Sequence, residues 1–359
     1  MKTLALTLVL VVSMIQSYAV VVIGDQDNSI LPIGRGADSV GIFNSTAGVV
    51  VSSNYFLAGN HVGGNVGDTF TINGITYTTI AKTNDPNYLD IYGNPDVEGN
   101  TLWKISGCFP TSRIAKLYTN GVGIGRPITV FGRGTQRGNL IYKNSSPPRI
   151  ENFVKGDAFI EFDVIGGTVS ANFAIQCATN IAGTWTTLTE TYTVPGNQNV
   201  HVSIPVTADP NMFFRTVMTE PILIGWSIGM GDGVMRWGTN IISETQNTEK
   251  GYILVSTFDR NGGSEECAIT PGDSSGAAFA KDSDSKWKLI GINYSSDAGI
   301  SYSFDGSDVV FAGTLFDVSG LYMWGNPYQL PSEYGVILQR SFYAPIPWQW
   351  IKEVIHQNW

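Results

Sequence analysis

Apolar and polar side chains alternate along most of this chain in short runs, each closed by glycine, asparagine or proline. The segment "TFTINGITYTTI" is the clearest case. Phe70 and Ile72 alternate with polar neighbours, Asn73-Gly74 supplies a turn, and Ile75, Tyr77 and Thr79 resume the alternation, which predicts a β-hairpin. Runs of similar length recur at "VGIFNSTAGVVVSSNYFLAG", "RPITVFGRG", "KGYILVSTF" and "KWKLIGINYS". Many short strands without long helical periods predict an all-β chain built from barrels or sandwiches.

Two stretches depart from this texture. From Ser146 to about Glu220 the chain opens with Pro147-Pro148 and then alternates strictly through Phe173, Ile175 and Cys177, later Tyr192 and Val194, and later Val202, Ile204 and Val206. This pattern predicts a small separate β-sandwich entered through a proline hinge. The C-terminal "PIPWQWIKEVIHQNW" places Trp348, Ile351 and Ile355 at spacings of three and four, with Pro347 ahead of them, and predicts a closing amphipathic helix.

The first nineteen residues add a compartment. They carry Lys2, an apolar stretch from Leu4 to Val12, and the small residues Ser17 and Ala19, the layout of a secretory signal peptide. The expected location is therefore secreted or periplasmic, with no membrane segment after the signal is cut. Without Lys2 the balance is 20 basic residues against 30 acidic ones, which argues against a nucleic-acid partner. The three cysteines, Cys108, Cys177 and Cys267, allow one internal bridge at most, and export permits a Cys108–Cys267 pairing without requiring it.

Candidate chemistry concentrates at "PGDSSGAAF", residues 271–279, where a serine sits in a tight turn between glycines. A serine hydroxyl becomes a nucleophile only with a base in reach, ordinarily a histidine oriented by a carboxylate. The chain offers three histidines. His356 falls in the terminal helix and His201 on the outer side of an alternating strand, whereas His61 in "NYFLAGNHVGG" stands where a buried strand ends and a glycine pair begins.

Taken together, these segments resemble the trypsin-like (chymotrypsin-fold) serine proteases. "LAGNHV" is similar to the family's histidine segment, "PGDSSG" to its nucleophile turn, "KLIGINYS" to the strand lining the substrate cleft, and "YGVILQRSFYAPIPWQWIKEVI" to the closing strand and helix. The resemblance covers most of residues 36–145 and 222–359. It implies two antiparallel Greek-key six-stranded β-barrels with a C-terminal α-helix. The corresponding division is 1–19 signal, 20–35 N-terminal segment, 36–120 first barrel, 121–145 with 222–359 second barrel, and 146–221 the inserted sandwich.

By the same resemblance Ser274 is the nucleophile, His61 the general base, and the amides of Gly272 and Ser274 the oxyanion hole. Asp90 is the favoured orienting acid and Asp96 the alternative. Ala268, six residues before Ser274, takes the base of the primary pocket with Tyr294 on its wall, so an uncharged residue is expected before the scissile bond. The implied activity is a serine endopeptidase acting on protein or peptide substrates. An inactive homologue that binds a polymer or surface ligand through the insert, and an esterase-like hydrolase, are the competing readings.

The sequence departs from the family at Ser275, where glycine is usual, at Asn60 before the histidine, and at Thr270 in place of a bracing cysteine. Activation stays open between cleavage after Arg35 and a chain born active with Asp273 held by another donor. No cofactor is expected. "GMGDGVMRWG" lacks the strand-helix unit of a dinucleotide site, and Asp282 and Asp284 in "AKDSDSKWK" fit a hairpin turn better than a calcium cage. Trp103, Trp237, Trp348 and Trp350 are assigned to the core and Trp185 to the surface of the insert.

Overall fold

The Asn73-Gly74 turn takes the left-handed geometry its residues favour, with φ of 50° and 75°, and pairs Ile72 with Ile75. Around it, a computed structural model describes residues 20–24, 27–88, 99–143, 149–156, 158–165, 171–194, 199–205, 212–218, 222–248, 251–297, 300–301, 313–318, 321–323 and 338–357. After a two-residue strand β1 (Val21–Val22) the first barrel forms from β2 (Val40–Phe43), β3 (Thr46–Val50), β4 (Tyr55–Gly59), β5 (Thr69–Ile72), β6 (Ile75–Asn84) and β7 (Asn100–Ile105). It closes in the order β2-β3-β4-β7-β6-β5. Phe43, Phe56, Phe70 and Trp103 fill it, with Phe56 and Phe70 stacked at 4.2 Å.

The second barrel begins at β8 (Pro127–Gly132), which leads through a tight corner into β9 (Thr135–Lys143). The insert follows as β10 (Arg149–Lys155), β11 (Phe159–Ile165), β12 (Ala171–Ala178), β13 (Thr186–Val194), β14 (Asn199–Pro205) and β15 (Phe213–Met218). These make two three-stranded sheets, β10-β11-β14 and β13-β12-β15, over a core of Ile160, Phe162, Val164, Phe173, Ile175 and Val202. The chain returns along β16 (Ile222–Gly231), antiparallel to β9, pairing Ile222 with Lys143 at one end and Gly231 with Thr135 at the other.

From there β17 (Arg236–Thr248), β18 (Gly251–Thr257), the short β19 (Cys267–Ala268), β20 (Ala277–Lys281) and β21 (Trp287–Ser296) follow, then β22 (Ile300–Ser301), β23 (Gly313–Leu315), β24 (Tyr322–Met323) and β25 (Arg340–Pro345). The second barrel closes as β17-β18-β25-β21-β20-β8, while β23 adds to the β9–β16 ribbon. The one α-helix among the described residues, α1 (Trp348–Gln357), ends the chain as its periodicity predicts. None of the described helices is long and apolar enough to cross a membrane.

A single apolar cluster joins the two barrels and the helix: Val49, Leu57 and Leu102 meet Phe131, Phe279, Leu289 and Ile292, with Trp350 and Ile351 alongside. Burying a side chain of this size contributes about 1.5–3 kcal/mol. The barrels are therefore fastened by the same force that holds each together, and their seam is a fixed surface. No bridge forms between cysteines: Cys108 is exposed and Cys177 and Cys267 are buried thiols. The Asp282–Lys286 region closes the β20–β21 hairpin, with Lys288 paired to Asp282.

Candidate active site

The nucleophile turn is built around Asp273, a carboxylate with no solvent exposure. Asp273 Oδ1 accepts from Gly134 N at 2.9 Å, and Oδ2 accepts from Thr270 N at 2.7 Å and Thr270 Oγ1 at 3.0 Å. A side chain on Gly132 would start 2.1 Å from Asp273 Oδ1, so glycine there is what admits the carboxylate. The Asp273 carbonyl accepts from Gly276 N and from Asn293 Nδ2, and Asn293 Nδ2 also reaches the Phe131 carbonyl at 2.9 Å. Both ends of Asp273 are thus tied down.

The residues on either side are half-buried. Gly272 takes a φ of 91°, which a side chain would resist, and neither its amide nor that of Ser274 donates a hydrogen bond within the described residues. Two backbone donors, one on each side of the anchored Asp273, are therefore available to an incoming oxygen.

Burial pushes the Asp273 carboxyl well above its ordinary range, and the Thr270 bonds, the Arg236 charge and the Val20 N–H pull against it. The Val20 contact is informative. Val20 is almost fully buried, its carbonyl accepts from Asn28 Nδ2 at 3.0 Å, and β1 beside it pairs with β19 through Val21–Ala268 and Val22–Cys267. A cleft of about 290 Å³ lined by Val20, Asn28, Gln136 and Arg236 opens next to it. Arg35, by contrast, stacks over the Trp237 ring and pairs with Glu265, and Gly36 lies against Phe279. In the uncut chain the donor that meets Asp273 comes from position 20. A run of four apolar residues, Val20 to Ile23, directly after Ala19 was the signal in the sequence that could have pointed to it.

His61 lies in a single 3-10 turn, Asn60–Val62, at the end of β4. Asn60 N donates to the Gly99 carbonyl at 2.8 Å and its side-chain oxygen accepts from Thr101 Oγ1, which secures the turn against β7. The Tyr294 ring meets the imidazole edge-on, with centroids 5.6 Å apart. From the other barrel Ser275 Oγ accepts a hydrogen bond from Gly59 N at 2.7 Å, so the residue after Ser274 touches the strand two residues before His61.

The seam therefore brings the His61 turn against Tyr294 and against Ser275, the residue after Ser274. Asp90 and Asp96 lie outside the described residues. Ala268 is fully buried in β19, enclosed by Trp226, Phe258 and Phe316. The role of the Ser275 hydroxyl was not legible in the sequence, where the motif marks that position only as a departure.

Two closed six-stranded antiparallel barrels followed by a terminal helix are the chymotrypsin-like all-β fold. The sequence matches no known protein family and no curated protein. Among solved structures the chain is similar to neuropsin, a serine protease expressed in the limbic system of mouse brain, at 11% identity and a TM-score of 0.40, covering 90% of this chain and 97% of that one. It is also similar to the passenger domain of plasmid-encoded toxin, an autotransporter enterotoxin of enteroaggregative Escherichia coli, at 11% identity and a TM-score of 0.36. That match covers 86% of this chain and 21% of the passenger domain.

Proposed function

We propose that the chain is a secreted serine endopeptidase in which Ser274 attacks the scissile carbonyl and His61 takes its proton. The observation that carries this reading is the nucleophile turn: Asp273 is held by Gly134 and Thr270 while, among the described residues, the Gly272 and Ser274 amides donate to no partner. As Ser274 Oγ bonds to the carbonyl carbon, the carbonyl oxygen becomes an oxyanion that these amides stabilise, and each such donor is worth about 3 kcal/mol in the transition state. Collapse expels the amine, which takes the proton from His61, and leaves an acyl-enzyme. Water then repeats the sequence with His61 again as base, releasing the acid and restoring Ser274. Asp90, or Asp96 in its place, is the acid assigned to orient the imidazole.

Two finer assignments belong to the same reading. The burial of Ala268 among Trp226, Phe258 and Phe316 supports a preference for an uncharged residue before the scissile bond. Removal of residues 1–19 converts the Val20 N–H into an ammonium beside Asp273, giving that buried carboxylate a full positive charge. Export and completion of the oxyanion site are then a single event.

The test is a fluorophosphonate probe applied to the exported protein and to Ser274→Ala. Labelling of the wild type that disappears in the variant is the expected result. A correctly folded, leader-free wild type that fails to label would overturn the enzyme reading in favour of a binding protein.

A further inference from the structure

Ser275 occupies a position that backbone energetics would give to glycine. Its φ is 62°, in the left-handed region, where a side chain costs about 1 kcal/mol or more. It is fully buried, so the side chain gains nothing from water. What it does gain is a place in a junction of three segments. Its hydroxyl oxygen accepts from Gly59 N at 2.7 Å, at the end of the histidine strand, and its own amide donates to the Asn293 carbonyl at 3.0 Å, next to Tyr294.

The geometry around Gly59 makes this junction tight. A β-carbon placed on Gly59 would lie 2.9 Å from His61 Cε1, 3.0 Å from His61 Nδ1 and 3.3 Å from Ser275 Oγ. The imidazole and the hydroxyl thus close over the same bare α-carbon, one from each side of the seam between the barrels. Among the described residues the one hydrogen bond from the Ser275 side chain to the other barrel is this one, and it ends on the amide where β4 hands over to the His61 turn.

We infer that Ser275 is a positioning residue, whose hydroxyl sets the distance between the His61 turn and the Ser274 turn by pinning Gly59. The catalytic consequence rests on the protease reading above, but the pin itself does not. A shift of about 1 Å between a nucleophile and its base can cost on the order of a hundredfold in rate. Substrate binding, which depends on the outer walls of the cleft, should change little.

Two variants separate the hydroxyl from the backbone. Ser275→Gly removes the hydroxyl and relieves the left-handed strain, so it should fold; Ser275→Ala removes the hydroxyl and keeps the strain. Hydrogen exchange at the Gly59 amide is read in both, and is expected to accelerate by about tenfold or more relative to wild type. In turnover assays with a peptide substrate, kcat is expected to fall by roughly ten- to a hundredfold in both variants while KM stays within about threefold. Unchanged Gly59 exchange in a folded Ser275→Gly protein, or full kcat in that variant, overturns the proposal. A wild type that is protected at Gly59 yet fails to label with the probe would refute the protease reading and leave the pin standing.

Discussion

Two buried carboxyls flank β19, Glu266 before it and Asp273 after it, and burial pushes both up against different sets of donors. Asp273 accepts from Gly134, Thr270 and Val20 and feels the charge of Arg236. Glu266, 6% exposed, accepts among the described residues only from Asp259 N at 3.3 Å, and the Asp259 carboxylate stands near it. Loss of solvation chiefly, with the Asp259 charge adding to it, pushes the Glu266 carboxyl up to about 7. Because the folded protein holds this proton more tightly than the unfolded chain, the stabilisation is complete below the ordinary glutamate range and is lost as pH rises towards 7. Denaturant midpoints between about pH 4.5 and 7.5 should therefore fall with rising pH, and Glu266→Gln should flatten that slope and be the more stable protein at the alkaline end. A glutamate next to a cysteine in "SEECA" gives no hint of this; its depth depends on the fold of the 259–266 turn, not on its neighbours in sequence.

Elements whose signals are local were the legible ones. The Asn73-Gly74 hairpin, the terminal helix and the alternation through Phe173 and Ile175 each follow from residues within one turn or one strand, and each appears where the pattern places it. The pairing of β23 with β16 was not legible, because Leu315 meets Gly225 across ninety residues and neither strand advertises its partner. The candidate site divides in the same way: the His61 and Ser274 motifs are contiguous, while the Val20 and Gly59 contacts join distant segments. The insert has a core of its own, centred on Phe162 and Phe173 and distinct from the clusters of the two barrels. Phe173→Ala should cost the insert about 3–5 kcal/mol. Calorimetry is expected to show a separate, earlier transition for the insert with the main transition of the barrels in place; a single transition lowered as a whole would mean that the insert and barrels fold as one unit.

At the scale of the whole molecule the N-terminal strand is the piece on which the proposed removal of residues 1–19 would act. β1 reaches from β19 to the edge of the β9–β16 ribbon, and Arg137 donates back to the Ile23 carbonyl at 2.7 Å. Val20 is set by these contacts, so a chain whose first residue is Ala19 would carry its ammonium one residue beyond Asp273. Such a chain should fold normally but react with the fluorophosphonate probe at least about tenfold more slowly than one beginning at Val20; equal rates would show that an amide at Val20 suffices. The ribbon that carries the insert has a different consequence. Thr135 pairs with Gly231 and Lys143 with Ile222, so the flanks of the insert are zipped together before the guest begins. Seventy-odd residues hang from a junction no wider than an ordinary hairpin loop, and a lineage can acquire, exchange or discard them without rethreading a single strand of the barrel beneath.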